Sequence, residues 1–600
     1  MYESFGAVVT GSRVSFQLFL PENTVDPTQY VRGGSPRIRI IRVAGDFQAL
    51  LGGESWDPLT APAMSRQPHP SGWLYRYDLP LDLPEGFYEY KYFVTFEDDS
   101  RRWCSDPCSK YGGSGEHENA GFAIGGNRVD VRPVQRPKPL QDLTLYELMI
   151  DDFTAELRGD GAPIDAVRQR VDYFERLGVN AVEMMPWTAW PGGDFSWGYD
   201  PVQFFAVEYR YINDPAEPAD KLYRLQRLIN ALHDRGIHVV MDGVFNHVRA
   251  GITPNQGFPY RWLYLNPADS PYIGDFEGGG FFEELDYQNG CVREFVRDVC
   301  LYWMNAFQVD GIRFDYTRGY YRRTDLHVGI ARLVADIRDA LSPERRAVAP
   351  FILEHLPDNR FEAIDDTNRI CATSCWFDPL MFAAFAWVRE GKLHGDALRV
   401  LDAGRDFAPG KLPVTYVENH DHSSLVHEAG GRDRWYKAQP AAIVLMTCPG
   451  APMIHNGQEF AEDYWLPESG PGRVEPRPLR WATRGPGSLD PAGERLFELY
   501  CKLIAIRNEH PALRAANFFP RYGNHPDGYG VFAERGLAIY HRWGEREDGA
   551  PERFLVVVSF SDFDQMADIP FPANGEWRDL LNGETATVTD YKLRWVWVGS

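Results

Sequence analysis

The sequence predicts an α/β fold: a (β/α)8 TIM barrel over about 136–511, flanked by an N-terminal β-sandwich (1–135) and a C-terminal antiparallel β-domain (512–600). Three observations predict it. Residues 1–135 alternate with period two and carry no helix-period segment. From 143 onward, apolar strands alternate with amphipathic helices, the pattern of a parallel sheet covered on its outer side. After a last helix at 494–510 the chain returns to short β-type runs such as LAIYHRW and FLVVVSF.

In the first region PRIRIIRV (36–43), GWLYRYDLPL (72–81) and GFYEYKYFVTF (86–96) read as strands. The Pro-rich run RPVQRPKPLQD (132–142) marks the boundary. LTLYELMI (143–150) is the next strand; Ile164, Val167, Val171, Phe174 and Leu177 then form one helical stripe, stopped by Gly178. NAVEMMP, a helix from Lys221 to Arg235 and IHVVMDGV (237–244) repeat the unit. Further strands fall at VDGIRFD, PFILEH, KLPVTYVEN and APMIHNG, so eight units fit between 143 and 510. A closed barrel places its active site at the carboxyl ends of its strands. About 247–290, rich in Gly and aromatic residues, reads as a short insertion after the third strand.

Composition narrows the function. With 62 basic and 85 acidic residues the net charge is −23, which disfavours nucleic acid and anionic membranes as partners and suits a neutral ligand. No stretch reaches 18 apolar residues, and the start MYESFGAVVTGSRVSF lacks a basic region and an apolar core. Eight cysteines in 600 residues do not make a disulfide scaffold, and the C-x3-C pairs at 104/108 and 371/375 lack zinc-site spacing. A reduced, cytoplasmic compartment is the expectation.

Polar residues close the apolar strands: Asp242 with Asn246 and His247; Arg313 and Asp315; Glu354 and His355; Glu418 to Asp421. Arg313 and Asp315 share one face of their strand. A single strand-end carboxylate could cap a helix, but four acidic strand ends in one cleft repel one another and call for a function. Glycosidic bond cleavage uses such a set: one carboxylate attacks the anomeric carbon, and a second protonates the leaving oxygen and later deprotonates water. Asp315 and Glu354 fall on adjacent strands, as a retaining pair about 5–5.5 Å apart requires.

The ordered stretches GVNAVEMMP, DGVFNH, GIRFDYTR, ILEH, YVENHD and PGAPMIHNGQE closely resemble the motifs of the α-amylase family, glycoside hydrolase family 13, over about 143–510. The WGYDP run (197–201) and the flanking domains resemble those of isoamylases, branching enzymes and trehalohydrolases. By position, the resemblance implies Asp315 as nucleophile, held ionised by Arg313, Glu354 as general acid/base with a raised pKa, and Asp421 as the third carboxylate, gripping sugar hydroxyls. It implies that His247 and His420 hydrogen-bond the same sugar, that Tyr199 stacks on it, and that Asp200 lies beside it. Asp242 reads as a structural partner of Arg313. Trp187, Trp190 and Trp197 are candidate sugar platforms, with loop packing as the alternative. Many α-amylases carry a Lys-His pair where this chain has Arg318-Gly319, on the acceptor side of the cut. No cofactor is required; calcium is the ion left open, with Asn246 at the position of a calcium ligand. The implied function is retaining hydrolysis of α-1,4-glucosidic bonds in starch- or glycogen-derived glucans. Branching or transglycosylation, α-1,6 cleavage, trehalose release, and a non-catalytic glucan-binding protein stay as alternatives.

Overall fold

The barrel closes through eight parallel strands in sequence order: β1 (Leu145–Leu148), β2 (Ala181–Met184), β3 (His238–Gly243), β4 (Gly311–Phe314), β5 (Phe351–Leu353), β6 (Ser374–Phe377), β7 (Leu412–Thr415) and β8 (Ala451–His455). The computed structural model describes residues 1–22, 33–112, 118–192, 194–214, 216–251, 253–278, 282–394, 396–470 and 472–599. Residues 252 and 279–281 of the expected insertion lie outside that set. β1 pairs with β8, which leaves no open edge in the barrel. Its register aligns the strand-end charges: Asp242 lies beside Arg313 across β3 and β4, and Glu147 beside both Glu183 and His455 across β1, β2 and β8.

Strand burial explains the sequence pattern. Every residue of β1, β2, β3, β4, β5 and β8 is buried, because helices cover the outside and side chains fill the inside. The helical stripe of 163–177 is realised as two short helices, Pro163–Arg168 and Val171–Leu177, parted where the Arg170 backbone leaves the helical region. Gly178 ends the second at φ 91°, its N–H reaching the carbonyls of Phe174 and Glu175. That left-handed cap favours glycine.

The N-terminal sandwich has a four-stranded sheet (Gly6–Thr10, Arg13–Pro21, Gly72–Asp78, Ser65–His69) facing a second, larger sheet. The second sheet crosses the expected boundary at 135. Gln203–Glu208, from the segment between β2 and β3, pairs in parallel with Tyr111–Gly112, and Thr188–Ala189 extends the edge. Gly112 permits the close approach: a Cβ there would lie 2.2 Å from that of Ala189. The insertion after β3 is likewise tied to the sandwich, with Arg102 donating to the carbonyls of Trp262 (2.7 Å) and Tyr264 (2.8 Å). The segments on either side of the WGYDP turn are therefore tied to the N-terminal sandwich.

The helix Pro491–Glu509 completes the barrel's outer layer, and antiparallel strands follow: Gly530–Phe532, Leu537–Glu545 and Pro551–Ser559 in one sheet, then two two-stranded pairs. All eight cysteines are free thiols. Among the described residues no helix is long and apolar enough to cross a membrane.

Candidate active site

Arg313 is the centre of the site. Its side chain has no solvent exposure; Nη1 donates to Asp242 Oδ1 (2.7 Å) and Asp315 Oδ1 (2.9 Å). Its Nη2 lies 3.1 Å from Glu354 Oε2, an ion contact outside hydrogen-bond alignment. One guanidinium thus gathers carboxyls from the ends of β3, β4 and β5. Its flat face rests over Trp376, whose ring centre is 4.2 Å away. Removing the arginine would leave three buried acids without a counter-charge, a loss of about 3–5 kcal/mol for a broken buried pair.

The chain turn after β4 aims the general acid/base candidate. Tyr316 holds φ 40°, a left-handed conformation uncommon outside glycine. Its backbone N–H donates to Glu354 Oε2 (2.7 Å), and the Thr317 hydroxyl donates to the Glu354 carbonyl (2.7 Å). Oε2 is therefore occupied by a donor, so Oε1 is the oxygen left to carry a proton. Burial raises the Glu354 pKa to about 8; Arg313 opposes the rise, while Asp315 and Asp421 add to it. A protonated Glu354 beside a carboxylate is the arrangement in which a proton stays on the less acidic partner.

Arg313 pulls the Asp315 pKa down, as expected of a neighbouring cation, yet the net shift is upward. Asp315 is raised to about 6, because burial outweighs the pull of Arg313 and Asp242 adds repulsion. The guanidinium charge is divided among three acids, which is why it does not reverse the cost of desolvation. Asp315 is still the more acidic of the pair, ionised near neutral pH.

The other side of the mouth is built around Glu147. His420 Nδ1 lies 2.7 Å from Glu147 Oε1, His455 Nδ1 lies 2.9 Å from Oε2, and the His420 backbone N–H also donates to Oε2 (3.2 Å). Burial would raise Glu147, but His420 and His455 hold it far below the usual carboxylate range. His420 in turn is lifted to about 9: burial lowers it, and Asp421 and Glu147 overcome that. Its Nε2 is 3.5 Å from Asp421 Oδ2. Arg473 donates to Asp421 Oδ1 (2.7 Å) and to its carbonyl (2.9 Å). Asp421 stays below the ordinary range, since His420 and Arg473 offset its burial.

Tyr199 links the halves. Its hydroxyl donates to Asp242 Oδ2 (2.6 Å), and its ring stacks on His420 at 5.1 Å and 18°. Trp197 meets His420 edge-on at 5.7 Å, and Asp200 accepts from Ser196 (3.1 Å). A small cavity between Asp152, Trp197, His420, His455 and Tyr464 opens here.

Several expected substrate contacts fall elsewhere. Trp187 is fully buried against Trp303, with ring centres 5.6 Å apart, so it is core and not a sugar platform. Trp190 is buried against Tyr211. Arg318 is half-exposed and pairs with Asp358 at 2.9 Å. His247 sits behind Tyr199, with Nε2 2.7 Å from the Tyr199 carbonyl and Nδ1 3.3 Å from Asn246 Oδ1, so it orders the WGYDP turn. Asn246 does not fit a calcium site. Its amide packs on Gly319, where an added Cβ would lie 2.6 Å from Nδ2, and no cluster of three His, Cys, Asp or Glu suited to a metal occurs among the described residues. Calcium favours carboxylate-rich oxygen sets.

Sequence reasoning missed Glu147, Glu183, Trp376 and Arg473. Glu147 and Glu183 carried a signal, a lone carboxylate inside an otherwise apolar strand. Glu183 is buried with no hydrogen-bond partner at either oxygen, and burial raises it well above the ordinary carboxylate value.

Comparison with known proteins agrees with the architecture. A family model described as the catalytic domain of α-amylase matches residues 150–256. A malto-oligosyltrehalose trehalohydrolase of Rhizobium sp. (strain M-11) is 27% identical over 542 residues, covering 79% of this chain and 85% of that one. Over its barrel this chain is similar to the catalytic domain of the α-amylase family. It is an enzyme. A pullulanase of Bacillus subtilis (strain 168) is 26% identical over 384 residues, 57% of this chain and 50% of its own length. In fold, the chain aligns with the pullulanase of Anoxybacillus sp. LM18-11 complexed with maltotetraose, at a TM-score of 0.72 and 19% identity over 99% of this chain and 86% of that one.

Proposed function

We propose that the protein is a retaining glycoside hydrolase of α-1,4-glucosidic bonds in starch- or glycogen-derived glucans and maltooligosaccharides. The observation that carries the reading is the shared guanidinium of Arg313, which brings Asp315 and Glu354 together in unequal protonation states. Asp315, ionised, attacks the anomeric carbon as Glu354 gives its proton to the departing oxygen. A covalent glucosyl–Asp315 ester forms, and Glu354, now a carboxylate, takes a proton from the water that cleaves it. Asp421, kept anionic by His420 and Arg473, binds the hydroxyls of the distorted sugar. No step uses a metal.

A second reading has its own support: the trehalohydrolase likeness spans most of both chains. Under it, the same carboxylates act on a maltooligosaccharide that ends in trehalose. The experiment is to offer maltohexaose, malto-oligosyltrehalose and pullulan separately and follow products and anomeric form early in the reaction. Shorter maltooligosaccharides of retained α-configuration are the expected result. Free trehalose in place of maltohexaose cleavage would establish the second reading. Maltotriose from pullulan, or β-configured products, would contradict the first.

A further inference from the structure

Behind Glu354 lies a second buried polar cluster that the chemistry of the mouth does not use. His355 follows the acid/base at the end of β5 and is buried. Its Nε2 stands 3.3 Å from Asp366 Oδ2, on the helix Glu362–Arg369 that comes after β5. Its Nδ1 stands 3.2 Å from the hydroxyl of Thr317, in the turn after β4. That hydroxyl donates to the Glu354 carbonyl at 2.7 Å, and the Thr317 N–H donates to the same oxygen at 2.9 Å. A continuous chain of contacts therefore runs from the helix, through one imidazole, to the backbone of the acid/base.

The far end of the chain is fixed. Asp366 Oδ1 accepts from the Tyr321 hydroxyl (3.0 Å) and lies 3.1 Å from Arg323 Nε. Burial would raise Asp366, but His355, Tyr321 and Arg323 hold it below the ordinary carboxylate value, so an anion faces Nε2 and orients the ring. The Tyr321 ring packs edge-on against His355, 5.0 Å between centres at 86°. The near end needs holding. Tyr316 keeps φ 40°, and its N–H meets Glu354 Oε2 at 2.7 Å. A non-glycine residue in that region costs about 1–3 kcal/mol and persists only where its surroundings over-determine it. Thr317 supplies that restraint, because it ties the residue after the strained one to the backbone of the residue whose carboxyl the strained one must meet.

We propose that Asp366, His355 and Thr317 are a positioning relay that sets the aim of Glu354 for proton transfer to the leaving oxygen. The relay rests on the acid/base role proposed for Glu354, and its members act through that residue, not on the sugar. Proton transfer in a transition state depends steeply on placement, and a displacement of about 1 Å can cost about 10²-fold in rate. A relay that fixes the Glu354 backbone on two sides, from β4 and from the helix after β5, limits that displacement.

The test compares kcat and KM of the full chain on maltohexaose, whose leaving oxygen needs a proton, and on α-maltosyl fluoride, whose fluoride departs with little help, alongside melting temperatures. Thr317→Val removes the hydroxyl at nearly constant volume and should lower kcat/KM on maltohexaose about tenfold, carried by kcat, with a loss of about twofold on the fluoride. Thr317→Ser, which keeps the hydroxyl, should recover most of the maltohexaose rate. Asp366→Asn removes the orienting anion and should cost about threefold with the same bias between substrates; added to Thr317→Val it should cost little more, since the chain is already cut. Equal losses on both substrates, or losses that multiply in the double variant, overturn the relay and leave the barrel reading standing. A lower melting temperature with the ratio of the two substrates unchanged marks a merely structural cluster and overturns it as well. A wild-type chain that cleaves neither substrate overturns the barrel reading and the relay with it.

Discussion

The two halves of the barrel mouth contain the same kinds of side chain and opposite charge balances. On the β3–β5 side, Asp242, Asp315 and Glu354 share the single charge of Arg313, and all three are raised above ordinary carboxylate values. On the other side, Glu147 and Asp421 face His420, His455 and Arg473, and both are lowered. Burial pushes all five upward, so the donors and charges set against each one decide the net direction. One half thus stores a proton and the other holds fixed negative charge. Catalysis by paired carboxylates needs both.

The largest break of this comparison is expected at Glu354. Glu354→Gln keeps the shape and removes the proton, so hydrolysis of natural glucans should fall by about 10²–10⁴-fold. Substrates with a good leaving group, which need no protonation, should lose far less in their glycosylation step. Equal losses measured on both substrate kinds would deny Glu354 the acid role.

Glu147→Gln attacks the other half. His420 then loses an anion that keeps it charged, and kcat/KM should fall by about tenfold. Wild-type His420 is raised to about 9, so its charge contributes to stability below the unfolded value and the contribution is lost as pH rises through about 9. In the variant that loss moves to lower pH. The activity deficit and the drop in melting temperature should both deepen between pH 6 and pH 9; a deficit independent of pH would show that Glu147 acts by shape alone.

The wild-type pH profile sharpens the first half by a smaller effect. Activity requires Asp315 ionised and Glu354 protonated, so kcat/KM should rise through about 6 and fall above about 8. A single alkaline-rising limb would invert the assignment. The smallest effect concerns calcium: EDTA should leave the melting temperature unchanged, since Asn246 packs on Gly319.

Much of this was legible in the chain. Apolar strands interrupted by Gly-stopped helices give the barrel, and charged residues at strand ends give Asp242, Arg313, Asp315, Glu354 and Asp421, because a charge that closes a buried strand needs a reason to be there. Glu147 was hidden for the opposite reason: it lies within LYEL, where an apolar strand reads as core whatever one residue carries. Arg473 comes from a loop 52 residues beyond Asp421, a pairing no local pattern reveals. Trp187 misled because its neighbours Pro186 and Trp190 suggest a loop, while Gln203–Glu208 draws the whole segment under the N-terminal sheet and buries the indole. Protonation was the least legible feature, since Arg313 beside Asp315 implies a lowered pKa until its other two partners are counted.

The central claim is that Asp315 attacks while Glu354 carries the proton. A fluorinated α-glucosyl fluoride, whose activated leaving group speeds attack and whose ring fluorine slows release, should accumulate as an ester on the enzyme. Peptide mapping by mass spectrometry should place that sugar on Asp315, with none taken up by the Asp315→Asn chain. A label on Glu354, Asp421 or Asp242, or a labelled Asp315→Asn chain, would contradict the account.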